Sequence, residues 1–308
     1  MDRDIMMRVF VLALAALLSV GAWANTYVLP PPDIDVIGEI RVVHARHEED
    51  LLDIARANGI GYNQIIQANP GVDRWLPGEG TAVVLPNRHI LPAAPRQGIV
   101  LNIPEMRLYY YPRPRPGEKP VVITHPVSIG RMDWKTPLGK TSVVAKQKDP
   151  VWTPPAAIKA EHAANGDFLP DVVPAGPDNP LGAYALRLGV PGYLIHGTNK
   201  PFGIGMRVTH GCIRMYPEDI ETLFEQVPVG TPVYIINQRV KAGWLAGTLF
   251  MEAHAPLEEE EIPSEAATLE DAMQVIDSKT GGNDDEVDTG AVHTAIEQAS
   301  GLVVEITH

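Results

Sequence analysis

One cysteine occurs in 308 residues, Cys212, in the stretch VTHGCIRMYP directly after His210-Gly211. A nucleophilic cysteine needs a base to make thiolate, a group that orients that base, and donors for the developing oxyanion. His196 ends the apolar stretch YLIH sixteen residues earlier. Two adjacent strands joined by a glycine-containing loop would bring the two side chains together, which makes His196 the better base. His210 is two residues from the cysteine. Residues at i and i+2 share a face in an extended segment, but a tight His-Gly-Cys turn breaks that relation, so His210 is read as structural. Gly211 permits such a turn. The amides of Gly211 and Cys212, and that of His210, could then converge on a carbonyl oxygen. Two other readings stand beside this one. His196, His210 and Cys212 are zinc-type ligands, although their spacing matches no common zinc pattern and no carboxylate partner is evident. They could also be an inert buried thiol with two core histidines.

The compartment bears on the choice. Arg3 and Arg8 precede an apolar run from Val9 to Val20, and Ala22-Trp23-Ala24 has the small-x-small form of a signal-peptidase site. The run is short for a membrane span. Residues 1–24 are expected to be a cleaved export signal, with translation starting at Met1 or at Met6 or Met7, and no stable membrane span after its removal. An exported protein normally uses cysteine in disulfides. A single cysteine cannot form an internal one, which leaves an intermolecular link, a reactive thiol or an inert one.

The elements that must position these residues are mostly strands. With 29 prolines and 27 glycines the chain favours strands and turns over helix bundles. From Gly98 the stretches MRLYYY, VVITHPVSIG, GKTSVVAKQ, YALRLG, YLIHG and TPVYIIN read as strands. Helical signal is confined to Pro217–Gln226, where proline and acids occupy the first turn. A proline-rich stretch, LPNRHILPAAPRQG, marks a linker near residues 88–98. Before it, RVVHA is a strand and Asp50 opens a helix carrying Leu51, Leu52, Ile54 and Ala55. Asn63 caps a second helix with Ile65, Ile66 and Ala68, Asn69-Pro70-Gly71 ends it, and TAVVLP returns as a strand. The formal charge of −13 belongs to the C-terminal part, since from Glu252 onward 15 acidic residues face one lysine. LEEEEIPSEAATLEDAMQ and TGGNDDEVDTG predict a solvated, largely disordered extension over residues 238–308. No basic surface suggests nucleic acid as a partner.

Two stretches resemble known families. The order of strand, two helices and strand over residues 40–87, with DIARANGI, IIQANPGV and LPGEGTAVVLP, resembles a LysM module, which implies binding of peptidoglycan glycan. It departs from that family's usual Gly-Asp-Thr-Leu turn, with Glu48-Glu49-Asp50-Leu51 in its place. The stretch IHGTNKPFGIGMRVTHGCIRMYPEDI closely resembles the active-site signature of L,D-transpeptidases, the YkuD-like catalytic domain. The signature's histidine-glycine falls on His196-Gly197 and its Ser/Thr-His-Gly-Cys on Thr209-His210-Gly211-Cys212. Flanking stretches, among them GIVLNIPEMRLYYYP, DWKTPLGKT, VWTPPAAIKAEH and VPAGPDNPLGAYALRLG, extend the resemblance over residues 98–237. Arg214 stands where many members have asparagine, and it is similar to the enterobacterial branch.

The resemblance implies a mainly β, sandwich-like catalytic domain acting in the periplasm without a metal or other cofactor. Cys212 would attack the bond between the L-centre of the third stem residue and D-alanine of a peptidoglycan tetrapeptide. His196 would take the thiol proton and return it to the leaving amine, with the Gly197 carbonyl as a candidate to orient the imidazole. The acceptor is a second stem, giving a 3–3 cross-link, a lysine of an outer-membrane lipoprotein, or water, which would make the protein a hydrolase. Tyr184, Asn199, Met206, Arg207 and Arg214 are candidates for the substrate cleft. Either arginine could meet a stem carboxylate or be structural, and Trp134 and Trp152 either border the groove or pack the core, with packing the favoured reading. A non-catalytic peptidoglycan-binding protein is the competing class.

Overall fold

The computed structural model describes residues 25–131, 134–257, 265–283 and 286–307, so the expected export signal lies outside the described residues. In chain order the first elements are strands β1 (Asn25–Val28) and β2 (Val36–His44), helices α1 (Leu51–Ala57) and α2 (Tyr62–Ala68), and strand β3 (Ala82–Ile90). The central part holds β4 (Gly98–Asn102), β5 (Arg107–Tyr111), β6 (Val121–Pro126), β7 (Ile129–Gly130), β8 (Gly139–Lys148), α3 (Ala156–Ala164), β9 (Tyr184–Leu188), β10 (Leu194–His196), β11 (Arg207–Thr209), β12 (Ile213–Arg214), α4 (Pro217–Gln226) and β13 (Pro232–Ile236). The C-terminal part adds β14 (Val240–Leu245), β15 (Thr248–His254), α5 (Glu265–Thr280), α6 (Thr289–Gln298) and β16 (Ser300–Glu305).

The fold is mainly β. Its centre is a sheet of nine strands in the order β1-β6-β5-β4-β13-β8-β9-β10-β12. Alternating side chains on these strands feed one core that includes Ile99, Leu101, Leu108, Leu186, Leu188, Ile195 and Ile213. Helix α4 starts where the sequence predicts, with Pro217 in its first turn beside Glu218 and Asp219. Its Ile220 and Leu223 close over that core. Helix α3 has no sequence forecast because it buries only Ile158 and so shows no apolar stripe.

Strands β2 and β3 pair antiparallel around α1 and α2, in the order expected from the sequence. Asp50 caps α1 through the amides of Leu52 and Asp53. Helix α2 starts earlier than expected, with Gly61 rather than Asn63 at its cap and no side-chain cap bond. Its first amides find acceptors in a different part of the molecule, described below. The expected linker is also not free chain. Strand β3 runs on to Ile90, and His89, Ile90 and Leu91 are buried. The segment before β2 is tied down as well, because β1 forms an edge strand on β6.

The C-terminal part corrects the expectation of disorder over 238–308. Strands β14, β15 and β16 form a sheet. Helices α5 and α6 cover it with a core of their own, including Leu249, Met251, Ala272, Ile276, Val292 and Ile306. The acidic composition conceals a helical repeat: Leu269, Ala272, Met273 and Ile276 recur at helix spacing, while Glu270, Asp271 and Asp277 face solvent.

A buried ionic network joins this part to the rest. Lys241 Nζ lies 2.8 Å from Glu105 Oε2, 2.9 Å from Glu252 Oε1 and 2.7 Å from the Ile90 carbonyl. The Ile90 amide donates to Glu252 Oε2, and His254 Nε2 is 2.7 Å from Glu252 Oε1. Burial by itself would raise the Glu252 carboxyl, but the Lys241 ammonium and His254 hold it well below the ordinary carboxylate range. Glu252 therefore contributes stability above the unfolded carboxylate range and loses it as the pH falls through its depressed folded value. Lys241→Met leaves two buried carboxylates without an ammonium, and we expect it to cost about 3–5 kcal/mol in urea melts at neutral pH. A change below about 1 kcal/mol would show that the network is solvated.

Candidate active site

Register carries the site. Strands β10 and β12 pair parallel, Ile195 with Ile213 and His196 with Arg214. Strand β9 lies antiparallel on the other side of β10, with Arg187 opposite Leu194 and Ala185 opposite His196. Side chains alternate across a sheet. Leu186, Ile195 and Ile213 therefore point into the core, and Arg187, Leu194, His196, Cys212 and Arg214 point to the opposite face. That face lines a cleft of about 660 Å³, closed on its other sides by Trp134, Trp152, Ile158, Pro180, Tyr193 and His210 among others.

The turn before the cysteine is held at both carbonyls. The Thr136 hydroxyl donates to Gly211 O at 2.9 Å and accepts from the Gly130 amide at 3.1 Å. The Thr209 hydroxyl donates to Cys212 O at 2.6 Å. A trans peptide is planar, so fixing the Gly211 carbonyl also aims the Cys212 N–H the opposite way. Gly211 sits at φ +96°, and a Cβ there would come within 2.9 Å of the Tyr193 ring.

His196 is buried, and its Nδ1 lies 2.7 Å from the Gly197 carbonyl. A proton on Nδ1 leaves Nε2 as the basic atom. Burial, reinforced by the nearby Arg214 guanidinium, pushes the imidazole down to about 4 against the pull of the Gly197 and Leu181 carbonyls. Burial raises the Cys212 thiol, while the Leu194 amide and Arg214 pull it the other way. The thiol also lies 3.6 Å from Gly192 O. Both shifts favour the neutral thiol and the neutral imidazole over a preformed thiolate.

His210 belongs to a separate group. Its Nε2 faces Glu161 Oε2 at 3.1 Å and Arg131 Nη2 at 3.3 Å, Arg131 pairs with Glu161, and the ring meets Trp134 edge-on at 5.1 Å. These contacts take Nε2 out of any shared ligand set with His196 and Cys212. Among the described residues, a group with metal-ligand geometry is Glu105, Glu252 and His254, away from the cleft. There the Lys241 ammonium already stands between the carboxylates.

Of the expected substrate residues, Arg214 lines the cleft. Arg207 instead donates to Gly130 O from Nε at 3.3 Å and Nη2 at 3.2 Å, bracing β7 beside the cysteine turn. Tyr184 donates to Glu221 and packs on Phe224, while Asn199 donates to the Asp178 carbonyl. The carbonyl of Met206 accepts from the Ile129 amide. Trp134 and Trp152 line the cleft rather than packing in the core. Arg187 was not singled out from sequence, though its place in YALRLG, between two apolar neighbours, is an alternation signal. Thr136, Glu161 and Arg131 carried no such signal, because their roles depend on contacts 30 to 79 residues away.

The residues from 96 to 235 match the profile of the L,D-transpeptidase catalytic domain, YkuD. Over 306 residues the chain is 41% identical to the probable L,D-transpeptidase YcfS of Escherichia coli K12, covering 96% of this chain and 93% of that protein. It is 41% identical to the probable L,D-transpeptidase ErfK/SrfK of Salmonella typhimurium over 295 residues, 94% of each chain. Among solved structures, L,D-transpeptidase 3 of Mycobacterium tuberculosis aligns over 51% of this chain and 67% of its own at 22% identity, with a TM-score of 0.33. The chain belongs to the L,D-transpeptidase family and is an enzyme of that class.

Gly211→Ala should cost about 1–3 kcal/mol, because a Cβ is strained at this φ and meets Tyr193. It should also alter alkylation of Cys212 in the still-folded fraction. Unchanged melting and unchanged alkylation would show that the turn relaxes freely.

Proposed function

We propose that this enzyme transfers the acyl part of peptidoglycan tetrapeptide stems through a thioester on Cys212. The observation that carries the reading is the placement of Cys212, His196 and Arg214 on one face of paired strands, lining one cleft. His196 Nε2 accepts the thiol proton as sulfur attacks the carbonyl at the L-centre of the third stem residue. The C–N bond to D-alanine breaks, and the imidazolium returns the proton to the departing amine. The Gly197 carbonyl holds the imidazole tautomer throughout. The turn amides at His210, Gly211 and Cys212 stabilise the oxyanion, the last aimed by Thr136. An amine then attacks the thioester and restores the thiol.

The cleft's charge supports a carboxylate-bearing substrate. Neither Arg187 nor Arg214 has an acidic partner among the described residues, and burial lowers the Arg214 guanidinium. A planar guanidinium suits a stem carboxylate. The amine acceptor is a second stem, forming a 3–3 cross-link, or a lysine of an outer-membrane lipoprotein. Both donors and acceptors place the reaction in the periplasm, and the unit from β2 to β3 is a LysM-like glycan contact.

Cys212→Ala should abolish release of D-alanine from a tetrapeptide stem while the circular dichroism spectrum stays unchanged; retained turnover would exclude Cys212 as nucleophile. His196→Ala should lower the rate about 10²–10⁴-fold. His210→Ala should lower thermal stability along with rate, since it removes a partner of Glu161 and Arg131. If His210→Ala removes activity at full stability and His196→Ala does not, the two histidines exchange roles.

A further inference from the structure

The unit formed by β2, α1, α2 and β3 does not sit apart from the cysteine. The amides of Tyr62 and Asn63 donate to the carbonyls of Ile204 and Gly205, at 2.8 Å and 3.3 Å. The first amides of a helix have no acceptor within it. Here the acceptors come from the loop that connects β10, which carries His196, to the turn that carries Cys212. The two backbones touch: a Cβ on Gly205 would fall 2.4 Å from Tyr62 N and 2.5 Å from Gly61 Cα.

A second contact lies just beyond the cysteine. Arg56, in the last turn of α1, donates from Nε and Nη2 to the two Glu218 carboxylate oxygens at 2.7 Å and 2.8 Å. Its guanidinium also lies 5.5 Å from the centre of the Tyr216 ring, whose hydroxyl donates to Ile60 O at 3.4 Å. Tyr216 caps α4 just after β12, and Glu218 lies in the first turn of α4. The N-terminal unit therefore grips the chain on both sides of Cys212, before β11 and after β12. The paired, charge-assisted contact is a directional one.

We propose that Arg56 and the Gly61–Asn63 backbone are positioning elements of the active centre, setting the cysteine turn against His196. The N-terminal unit is then a working part of the enzyme as well as any attachment it makes. This inference rests on the reading of Cys212 as nucleophile and His196 as base. It also replaces the sequence-based view of residues 40–87 as a separable module.

The test uses the full chain and a soluble tetrapeptide stem without glycan, which removes wall attachment as a cause. The variants are Arg56→Ala, Glu218→Ala, the exchange Arg56→Glu with Glu218→Arg, and Gly205→Ala, which wedges the seam. All are assayed where circular dichroism shows them folded. Displacement of a reacting group by about 1 Å can cost about 10²-fold, so we expect each single variant to lower kcat about tenfold or more with KM nearly unchanged. The charge exchange should restore most of kcat. Wild-type kcat in the folded single variants, a loss confined to KM, or no recovery in the exchange would overturn the proposal. Failure of the underlying reading is separate, because it would appear as turnover by Cys212→Ala.

Discussion

The parallel pairing of Ile195 with Ile213 is the constraint on which the site depends. It brings His196 and Cys212, sixteen apart in sequence, onto one surface lining the cleft. Strand β12 has only two residues, so it cannot hold this register alone. Ser128 braces its free side by exchanging backbone hydrogen bonds with Arg214, at 2.8 Å and 3.0 Å. The buried Ile195 and Ile213 anchor its inner face in the main core. A slip by one residue would send Cys212 into that core and Ile213 into the cleft.

The same burial that fixes the register also sets the electrostatics. His196 is kept neutral by desolvation and by Arg214, and the thiol is raised by desolvation. A cysteine nucleophile in this surrounding is activated by proton transfer during attack, rather than by a standing thiolate. A standing thiolate would need a lowered thiol pKa, whereas partial burial in the cleft shifts the Cys212 thiol the other way. Arg214 then has two actions from one position: it stabilises thiolate as it forms, and it discourages a proton on His196.

What the sequence revealed was whatever repeats locally or sits in a fixed motif. The cysteine and histidine, the first helix with its Asp50 cap, and α4 with Pro217 were all legible. The start of α2 was not, because its amides are satisfied by Ile204 and Gly205, far away in sequence. The C-terminal sheet and helices were hidden for a different reason. Their acidic residues dominate the composition, while the helical spacing of Leu269, Ala272, Met273 and Ile276 carries the fold. The tryptophans of the cleft were misplaced because large aromatic side chains serve cores and grooves alike. Residues that act through a single distant contact, such as Thr136 on Gly211, leave no local trace.

The central claim is that the resting site pairs a neutral thiol with a neutral imidazole. The most direct measurement is nitrogen-15 NMR of the His196 ring in the full chain across a pH titration. The account predicts a ring protonated on Nδ1, neutral at pH 6 and gaining its second proton only near pH 4. A doubly protonated His196 ring at pH 6–7, lost when Cys212 is alkylated, would reveal a thiolate–imidazolium pair and contradict it.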